Sequence, residues 1–251
     1  MTENSILQEL HLFGAGETGL VAEFGQQISP RINAAVHRFS RLLRADLPCG
    51  VTEIVPTYCA VTIYFDPLCV KRHELEQTVR NLALTMETPE TVREASQIIY
   101  IPVCYGGVLG PDMDYAVKYT GLPAEEIIRL HTEKPYLVYT LGFTPGFPYL
   151  GGLQPELFVP RQEKPRLRVP TGSVGIGGGQ TGFYPSESPG EWWLIGRTPV
   201  KAFDPEESNP FLLTAGDFVQ FFSVDRDTYF SIRREVAAHS YVCRREEAQL
   251  G

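Results

Sequence analysis

The stretch VPTGSVGIGGGQTGFYP, residues 169–185, indicates the architecture of the second half of this chain. Short apolar runs alternate in it with glycine and proline every few residues, a pattern typical of strands joined by tight turns. The same pattern extends to both sides, between residues 136 and 224, in the runs YLVYTLGF, LRVP, EWWLIGRT and DFVQFFSV. It predicts a closed or sandwiched all-β domain, and the helical pattern of residues 227–238 is expected to pack against or close it.

The first ninety-five residues follow a different pattern, in which strands and helices alternate. Residues 10–24 predict two short strands around a turn, and Ser29 and Pro30 suit the N-cap and first turn of a helix. Strand-forming residues return over residues 51–65, and a second apolar helical face follows them. With residues 97–103 as the last strand, the order β-α-β-β-α-β predicts a ferredoxin-like sandwich.

We therefore expect an α+β protein with two domains, over residues 1–95 and 96–251. Its 251 residues suit one large domain or two ordinary ones, and its 43% hydrophobic and 21% charged content is typical of a folded globular protein. Two more helices are predicted over residues 112–119 and 123–131, ahead of the β-rich region. The second begins with proline and two glutamates, which favour the positive end of a helix dipole.

Composition also limits the partners and the compartment. The net charge of −8 argues against a general nucleic-acid binder, because such proteins carry a basic face. Apolar runs stay shorter than the ~18 residues needed to span a bilayer, and the first residues lack the features of a signal peptide. The cysteines match neither a metal knuckle nor a disulfide scaffold, which favours idle thiols in a reducing compartment, the cytoplasm. They stand at Cys49, Cys59, Cys69, Cys104 and Cys243.

Two blocks are candidates for a binding site, and each has a structural alternative. In LGFTPGFPYLGGL, residues 141–153, aromatic residues stand between glycines and prolines, which suits either the wall of a small-molecule pocket or a loop that plugs a barrel end. The glycines of residues 172–182 either let the backbone approach an anion or form tight barrel turns and bulges. Gln180 and Thr181 are the better candidates there, since they add an amide and a hydroxyl.

A third block, WWLIGRTP at residues 192–199, ends in an arginine. Arg197 at a strand end in a neutral site can clamp a carboxylate or phosphate with two hydrogen bonds, or it can form an ordinary ion pair at the rim.

Known catalytic sets are missing from the sequence. The histidines are dispersed, so we expect no metal site, and His131 and Glu133 read as the surface of a helix end. Glu191, Asp204 and Asp217 are potential acids or bases, although Asp217 follows a glycine and suits a turn. The catalytic residues stay unknown, and the chain looks like a binding half rather than a complete enzyme.

These blocks resemble one known family over nearly the whole chain. The resemblance rests on GFTPGFPYLGGL, VPTGSVGIGGGQTGFYP and LIGRTP, joined by Pro160-Arg161, by SPG at residues 188–190 and by FDP at residues 203–205. Upstream it continues through IPVCYGG at residues 101–107 and GPD at residues 110–112, and more weakly through VAEFG. The sequence is similar to the family of the 5-oxoprolinase B subunit, also called allophanate hydrolase subunit 1 or the KipI-type inhibitor of a histidine kinase.

The resemblance implies a ferredoxin-like domain followed by a cyclophilin-like β-barrel, related to part of the carboxyltransferase domain of biotin-dependent urea carboxylases. It also implies that the chain works with a homologous C subunit and with the A subunit to open 5-oxoproline to glutamate at the expense of ATP. Carried over by position, the residues that would line the substrate pocket are Phe147, Pro148, Tyr149, Gly151, Gln180, Thr181, Tyr184 and Arg197.

The sequence departs from the family pattern in two places. Val108 stands where the pattern YGGEFGPD has an acidic residue, which weakens a role of that loop in metal or proton chemistry. Gly177 begins a run of three glycines in which the family more often has alanine first.

Two functions remain open at this point. In the first, the chain is one component of a cytoplasmic ATP-dependent 5-oxoprolinase, in which Arg197 and glycine amides bind a carboxylate or a phosphorylated intermediate while aromatic rings exclude water. In the second, it is a non-catalytic inhibitor that docks on a sensor histidine kinase. A prolyl isomerase is a poorer third idea, because barrel shape does not carry function.

Overall fold

The computed structural model describes residues 10–86 and 96–248. The chain divides into two compact units, Met1–Glu94 and Ala95–Gly251. In the part of the chain that is described, no helix combines the length and the apolar content needed to cross a membrane.

The first unit is a four-stranded antiparallel sheet with two helices. The strands lie in the order β1-β2-β4-β3, and apolar residues of sheet and helices share one core. The elements are β1 His11–Ala15, β2 Gly19–Glu23, α1 Pro30–Ala45, β3 Val51–Pro56, β4 Ala60–Phe65 and α2 Arg72–Thr85.

Helix α1 forms where its sequence predicts it. Ser29 is its N-cap and Pro30 stands in the first turn, where a missing N–H costs no hydrogen bond. Val36, Phe39 and Leu43, which recur at helical spacing, are fully buried. The predicted order of elements is wrong in one respect. The strand after α2 belongs to the second unit, so the first unit reads β-β-α-β-β-α.

The second unit is a closed β-barrel of seven strands. The strands are β5 Gln97–Tyr105, β6 Tyr136–Leu141, β7 Pro148–Gly151, β8 Arg166–Val169, β9 Ser173–Gly177, β10 Gln180–Phe183, β11 Ser188–Gly190, β12 Trp193–Arg197, β13 Phe218–Ser223 and β14 Arg245–Glu247. The sheet has the order β12-β9-β10-β7-β6-β13-β5-β14, and β12 also pairs with β5, which closes the barrel and leaves β14 as an added edge strand. A separate ribbon pairs β11 with β8.

In the described residues, three α-helices accompany the barrel, α3 Met113–Thr120, α4 Ala124–Glu133 and α5 Arg226–Ala237, together with a 3-10 helix at Pro155–Leu157. Helix α5 is the predicted last helix, and the Asp225 carboxylate accepts a hydrogen bond from the Thr228 N–H at its start. The predicted α+β class with a β-barrel is confirmed, and the first unit packs two helices with an antiparallel sheet in an element order that differs from the predicted one.

An ion pair fastens the start of α3 to the outside of the barrel. The Asp112 carboxylate accepts two hydrogen bonds from the Arg166 guanidinium, at 2.5 and 2.6 Å, and a third from the Leu194 N–H at 2.6 Å. Gly110 precedes it because a Cβ there would lie 2.1 Å from the Ile195 carbonyl oxygen. The GPD motif therefore has a structural role in holding α3 against β12.

Candidate functional site

Aromatic residues from the three sequence blocks meet beside the barrel core, where Phe147, Tyr184 and Trp192 are only 3–5% exposed. The ring of Phe147 is at the centre, with centroids 5.1 Å from Tyr149, 5.2 Å from Tyr184 and 5.6 Å from Trp192. These rings pack with Val169 and Leu194 and form a core separate from the barrel interior. We call these four rings the aromatic cluster. The three blocks thus converge in one aromatic core, and the pocket wall stays a prediction beside the alternative of a loop whose rings are core.

The glycine-dense block is explained by one ring of this cluster. A Cβ on Gly177 would lie 2.5 Å from Trp192 Cδ1, and a Cβ on Gly175 or Gly182 would lie 3.1 Å from the same side chain. These glycines therefore let the indole of Trp192 lie directly on strands β9 and β10. At the turn between them, the Gly178 N–H donates to the Val159 carbonyl, so that amide is already bonded within the protein.

Arg161 lies at the polar edge of the aromatic cluster. It belongs to the Pro160-Arg161 pair of the family pattern, but it is not among the predicted pocket residues. The Arg161 guanidinium donates to Gln180 Oε1 at 2.7 Å and lies 3.7 Å from a Glu191 carboxylate oxygen. Its positive charge also acts on the phenols of Tyr149 and Tyr184. Arg161 is half exposed, so the guanidinium remains available to an anion from solvent.

Both phenols stay protonated near neutral pH. Burial raises the pKa of Tyr184 to about 12, although a backbone hydrogen bond from Trp192 and the nearby Arg161 oppose the rise. Burial likewise raises the pKa of Tyr149, against the effect of Arg161. The partly exposed Tyr149 and the Arg161 cation therefore lie at the edge of an apolar core, whereas Tyr184 is only 3% exposed.

Arg197 borders the cluster from the end of β12. It pairs with Ser173 across the strands, and the Ser173 carbonyl accepts a 3.0 Å hydrogen bond from the Tyr184 N–H. Arg197 Nε and Ser173 Oγ are both buried and have no hydrogen-bond partner among the described residues. Burial raises the pKa of Tyr229 on α5, and the charge of Arg197 opposes that rise, which places Arg197 near α5. Two adjacent unpaired donors are unusual in a folded protein and invite a ligand.

The interior of the barrel holds a chain of hydrogen bonds. The Thr181 hydroxyl donates to the Gly175 carbonyl at 3.0 Å, so it accepts from Nε2–H of His131 at 2.8 Å. The other ring nitrogen, Nδ1, then accepts from the Tyr105 hydroxyl at 2.7 Å. Burial lowers the pKa of His131 to about 3 and raises that of Tyr105 well above its usual value. We call these residues the interior chain, and both titratable members are neutral.

The interior chain corrects one prediction. His131 is 0% exposed, whereas its sequence position predicts the surface of a helix end. Helical spacing could have predicted that His131 is buried, because it follows Ile127 by four positions and both lie on the buried face of α4. Glu133, by contrast, pairs with Arg129 at 2.9 Å on the exposed side, as predicted.

The predicted pocket residues thus occupy three places. Phe147, Tyr149, Tyr184 and Gln180 lie around the aromatic cluster, and Arg197 borders it. Thr181 belongs to the interior chain. Pro148 and Gly151 begin and end strand β7, and a Cβ on Gly151 would lie 1.8 Å from the Tyr139 ring, so this glycine serves packing.

The three potential acids or bases also differ in surroundings. Glu191 lies beside Arg161, whereas the Asp217 carboxylate accepts from the Thr214 N–H at 2.9 Å in the expected turn. Asp204 forms an ion pair with Lys201 at 2.8 Å.

Comparisons with known proteins agree with this architecture. The family model of the carboxyltransferase domain, subdomain C and D, matches residues 10–213. A Haemophilus influenzae protein, named as the B subunit of 5-oxoprolinase, is 53% identical over 84% of this chain and 97% of its own length. A Bacillus subtilis protein of the same name is 38% identical over 88% of this chain and 95% of its own length.

Among solved structures, the Kluyveromyces lactis urea amidolyase matches 95% of the chain with a TM-score of 0.82. The two are 20% identical, and the match spans only 16% of the amidolyase chain. This likeness therefore concerns the fold alone.

Proposed function

Because the chain belongs to the carboxyltransferase subdomain C and D family, we propose that it is the B subunit of a 5-oxoprolinase. The proposed complex converts 5-oxoproline, ATP and water to glutamate. One observation carries the proposal: the chain is 53% identical to a 5-oxoprolinase B subunit over 97% of that protein. The names of that relative and of the Bacillus subtilis protein support a role as one component of this enzyme.

The substrate site in this proposal is the surface formed by the aromatic cluster, Arg161 and Arg197. The substrate carries a carboxylate, and an ATP-dependent opening of its lactam passes through a phosphorylated intermediate. Arg161, with Gln180 beside it, and the unpaired Nε–H of Arg197 offer cationic donors for such groups. The phenols of Tyr149 and Tyr184 add neutral donors, and the rings limit the access of water to a labile acyl phosphate.

The A and C subunits complete the enzyme in this proposal. The chain contributes binding and orientation, and the acid and base that move protons are assigned to these two partners. Gly151 and Thr181, which the family resemblance places in the pocket, act here by fixing strands β7 and β10, since their described contacts lie within the barrel unit. ATP is a substrate of the complex.

The test is ATP-dependent release of glutamate from 5-oxoproline by this chain with co-expressed candidate A and C subunits. We expect turnover only in the full mixture. Arg161→Ala and Arg197→Ala should each lower kcat/KM by about 100-fold, the effect of losing one charged hydrogen-bond donor to a reacting anion. The matched control is Arg129→Ala, which removes an exposed ion-paired arginine on α4 and should leave kcat/KM unchanged.

Two results would contradict the proposal. A correctly assembled mixture without ATP-dependent glutamate release would remove the oxoprolinase assignment and favour the kinase-inhibitor hypothesis. Full turnover in both arginine variants would leave the complex assigned but move the substrate site away from this surface.

A further inference from the structure

Outside the proposed substrate site, three potential metal ligands converge next to the barrel. Asp204, Glu207 and His239 each offer one ligand atom, and these atoms all lie within 4.8 Å of one another. The set mixes an imidazole nitrogen with two carboxylate oxygens, the ligand types that bind divalent transition metals such as Zn²⁺. Local sequence spacing does not predict this ligand set, because more than thirty positions separate Asp204 from His239.

Backbone contacts hold the ligand-bearing segments in place. The Glu207 N–H donates to the Asp204 carbonyl at 3.2 Å, so both carboxylates stand on one turn after β12. His239 follows the end of α5, where its N–H donates to the Val236 carbonyl at 3.1 Å. His239 Nδ1 lies 2.7 Å from Glu207 Oε1, which joins the two segments. The ligand atoms are thus near each other before any metal arrives.

The charges at this place favour a divalent cation. The Asp204 carboxylate accepts a hydrogen bond from the Lys201 ammonium at 2.8 Å and another from the Glu206 N–H at 3.2 Å. A carboxylate oxygen of Glu206 lies 3.9 Å from His239 Nε2. With Arg245 on the same cavity wall, three carboxylates and two cationic side chains leave one negative charge when the imidazole is neutral, the form that binds metal.

A cavity beside these ligands leaves room for further coordination. It has a volume of about 330 Å³, and its wall includes all three ligands. The same wall holds Cys243, which is 7% exposed and whose thiol makes no hydrogen bond within the described part of the chain. A cation held by three protein atoms keeps open positions, and this cavity can hold the water or small anion that fills them.

From this arrangement we infer that Asp204, Glu207 and His239 form a binding site for a divalent transition-metal cation of the Zn²⁺ class. Lys201 is the built-in competitor of the metal, since its ammonium lies 2.8 Å from Asp204 Oδ2. Metal binding therefore displaces Lys201 from this oxygen, and removal of the lysine charge strengthens the site. A nonspecific association of metal with surface carboxylates predicts no dependence on the His239 imidazole.

The test is a calorimetric titration of the full chain with Zn²⁺ alone, in the Cys49→Ser/Cys69→Ser background. Both cysteines are exposed. Asp66 raises the pKa of the Cys69 thiol most, and Cys49 lies near enough to raise it further, so the pair could bind Zn²⁺ itself. We expect one equivalent to bind. His239→Asn should weaken binding at least 10-fold, and asparagine suits the backbone φ of +52° at this position.

Two further variants sharpen the result. Lys201→Met should tighten Zn²⁺ binding several-fold, whereas His73→Asn, an exposed histidine on α2, should leave it unchanged. No saturable binding, or equal affinity in the His239→Asn and background proteins, would overturn the inference. Because binding is measured without 5-oxoproline or partner proteins, this result is independent of the proposed function.

Discussion

The interior chain and the outer surface around the aromatic cluster use polar groups in opposite ways. In the interior chain, the Tyr105 hydroxyl donates to His131, His131 donates to Thr181, and the Thr181 hydroxyl donates to the Gly175 carbonyl. On the outer surface, Arg197 Nε and the hydroxyl of its strand partner are buried without a partner among residues 10–86 and 96–248. A complete buried network stabilises the fold, whereas an incomplete one is unfavourable until a ligand supplies the missing acceptor. We therefore assign the interior chain to stability of the fold and the residues around the aromatic cluster to ligand binding.

The largest expected effect comes from breaking the interior chain. His131→Leu removes the acceptor of the Tyr105 hydroxyl, the bond to Thr181 and a ring stacked 4.8 Å from Phe221. We expect the free energy of unfolding to fall by about 3 kcal/mol, from one unpaired buried donor, one lost hydrogen bond and the lost ring contact. Urea denaturation measures it. His73→Leu is the exposed control, and a loss under about 0.5 kcal/mol in His131→Leu would mean that the interior chain does not stabilise the barrel.

The same histidine gives a pH dependence with a defined sign. Its pKa is about 3 when folded and about 6.5 when unfolded, so at intermediate pH the unfolded chain binds a proton that the folded chain excludes. Stability from neutral His131 is complete above pH 6.5 and declines as the pH falls toward 3. Between pH 8 and pH 5 the loss is about 2 kcal/mol.

This loss of stability can be measured by comparing the unfolding free energies of the wild type and of His131→Leu. The gap in unfolding free energy between wild type and His131→Leu should shrink by about 2 kcal/mol from pH 8 to pH 5, since both share the other titrating groups. A gap that stays constant across this range would mean that His131 takes up a proton as readily in the folded barrel as in the unfolded chain.

A smaller effect is expected where the glycine block meets the aromatic cluster. Gly177→Ala adds a methyl group 2.5 Å from the Trp192 indole and should lower stability by about 1–2 kcal/mol through overpacking. In a Trp192→Leu background the same change should cost at least about 0.5 kcal/mol less, because the clash is removed. Equal costs in the two backgrounds would show that Gly177 is required for a reason other than Trp192.

The fold could be predicted further from sequence than the site. Helix α1 and most barrel strands follow periodicity and turn residues, and the family resemblance is confirmed. The predicted order of elements is wrong because the sequence of β5 is compatible with a strand in either unit. Its pairing with β13 and β12 assigns it to the barrel. At the site, Arg161 stands in a segment without periodicity, so its approach to Gln180 is a long-range contact that local pattern does not encode.

The smallest expected change in stability concerns the ion pair between Glu191 and Arg161, and it tests the anion-binding role of Arg161. Glu191→Gln removes a partly exposed carboxylate 3.7 Å from Arg161, and such a pair contributes less than about 0.5 kcal/mol to folding. The same carboxylate competes with any anion for Arg161, so we expect the reconstituted enzyme to show a KM for 5-oxoproline lowered by about 2- to 5-fold. Glu187→Gln, which removes the exposed partner of Arg168, is the matched control and should leave KM unchanged. An unchanged KM in Glu191→Gln would mean that Arg161 only forms an ion pair at the barrel rim. Arg197 would then be the anion-binding group, because it lies close to the cluster and already lacks a partner at Nε in the described structure.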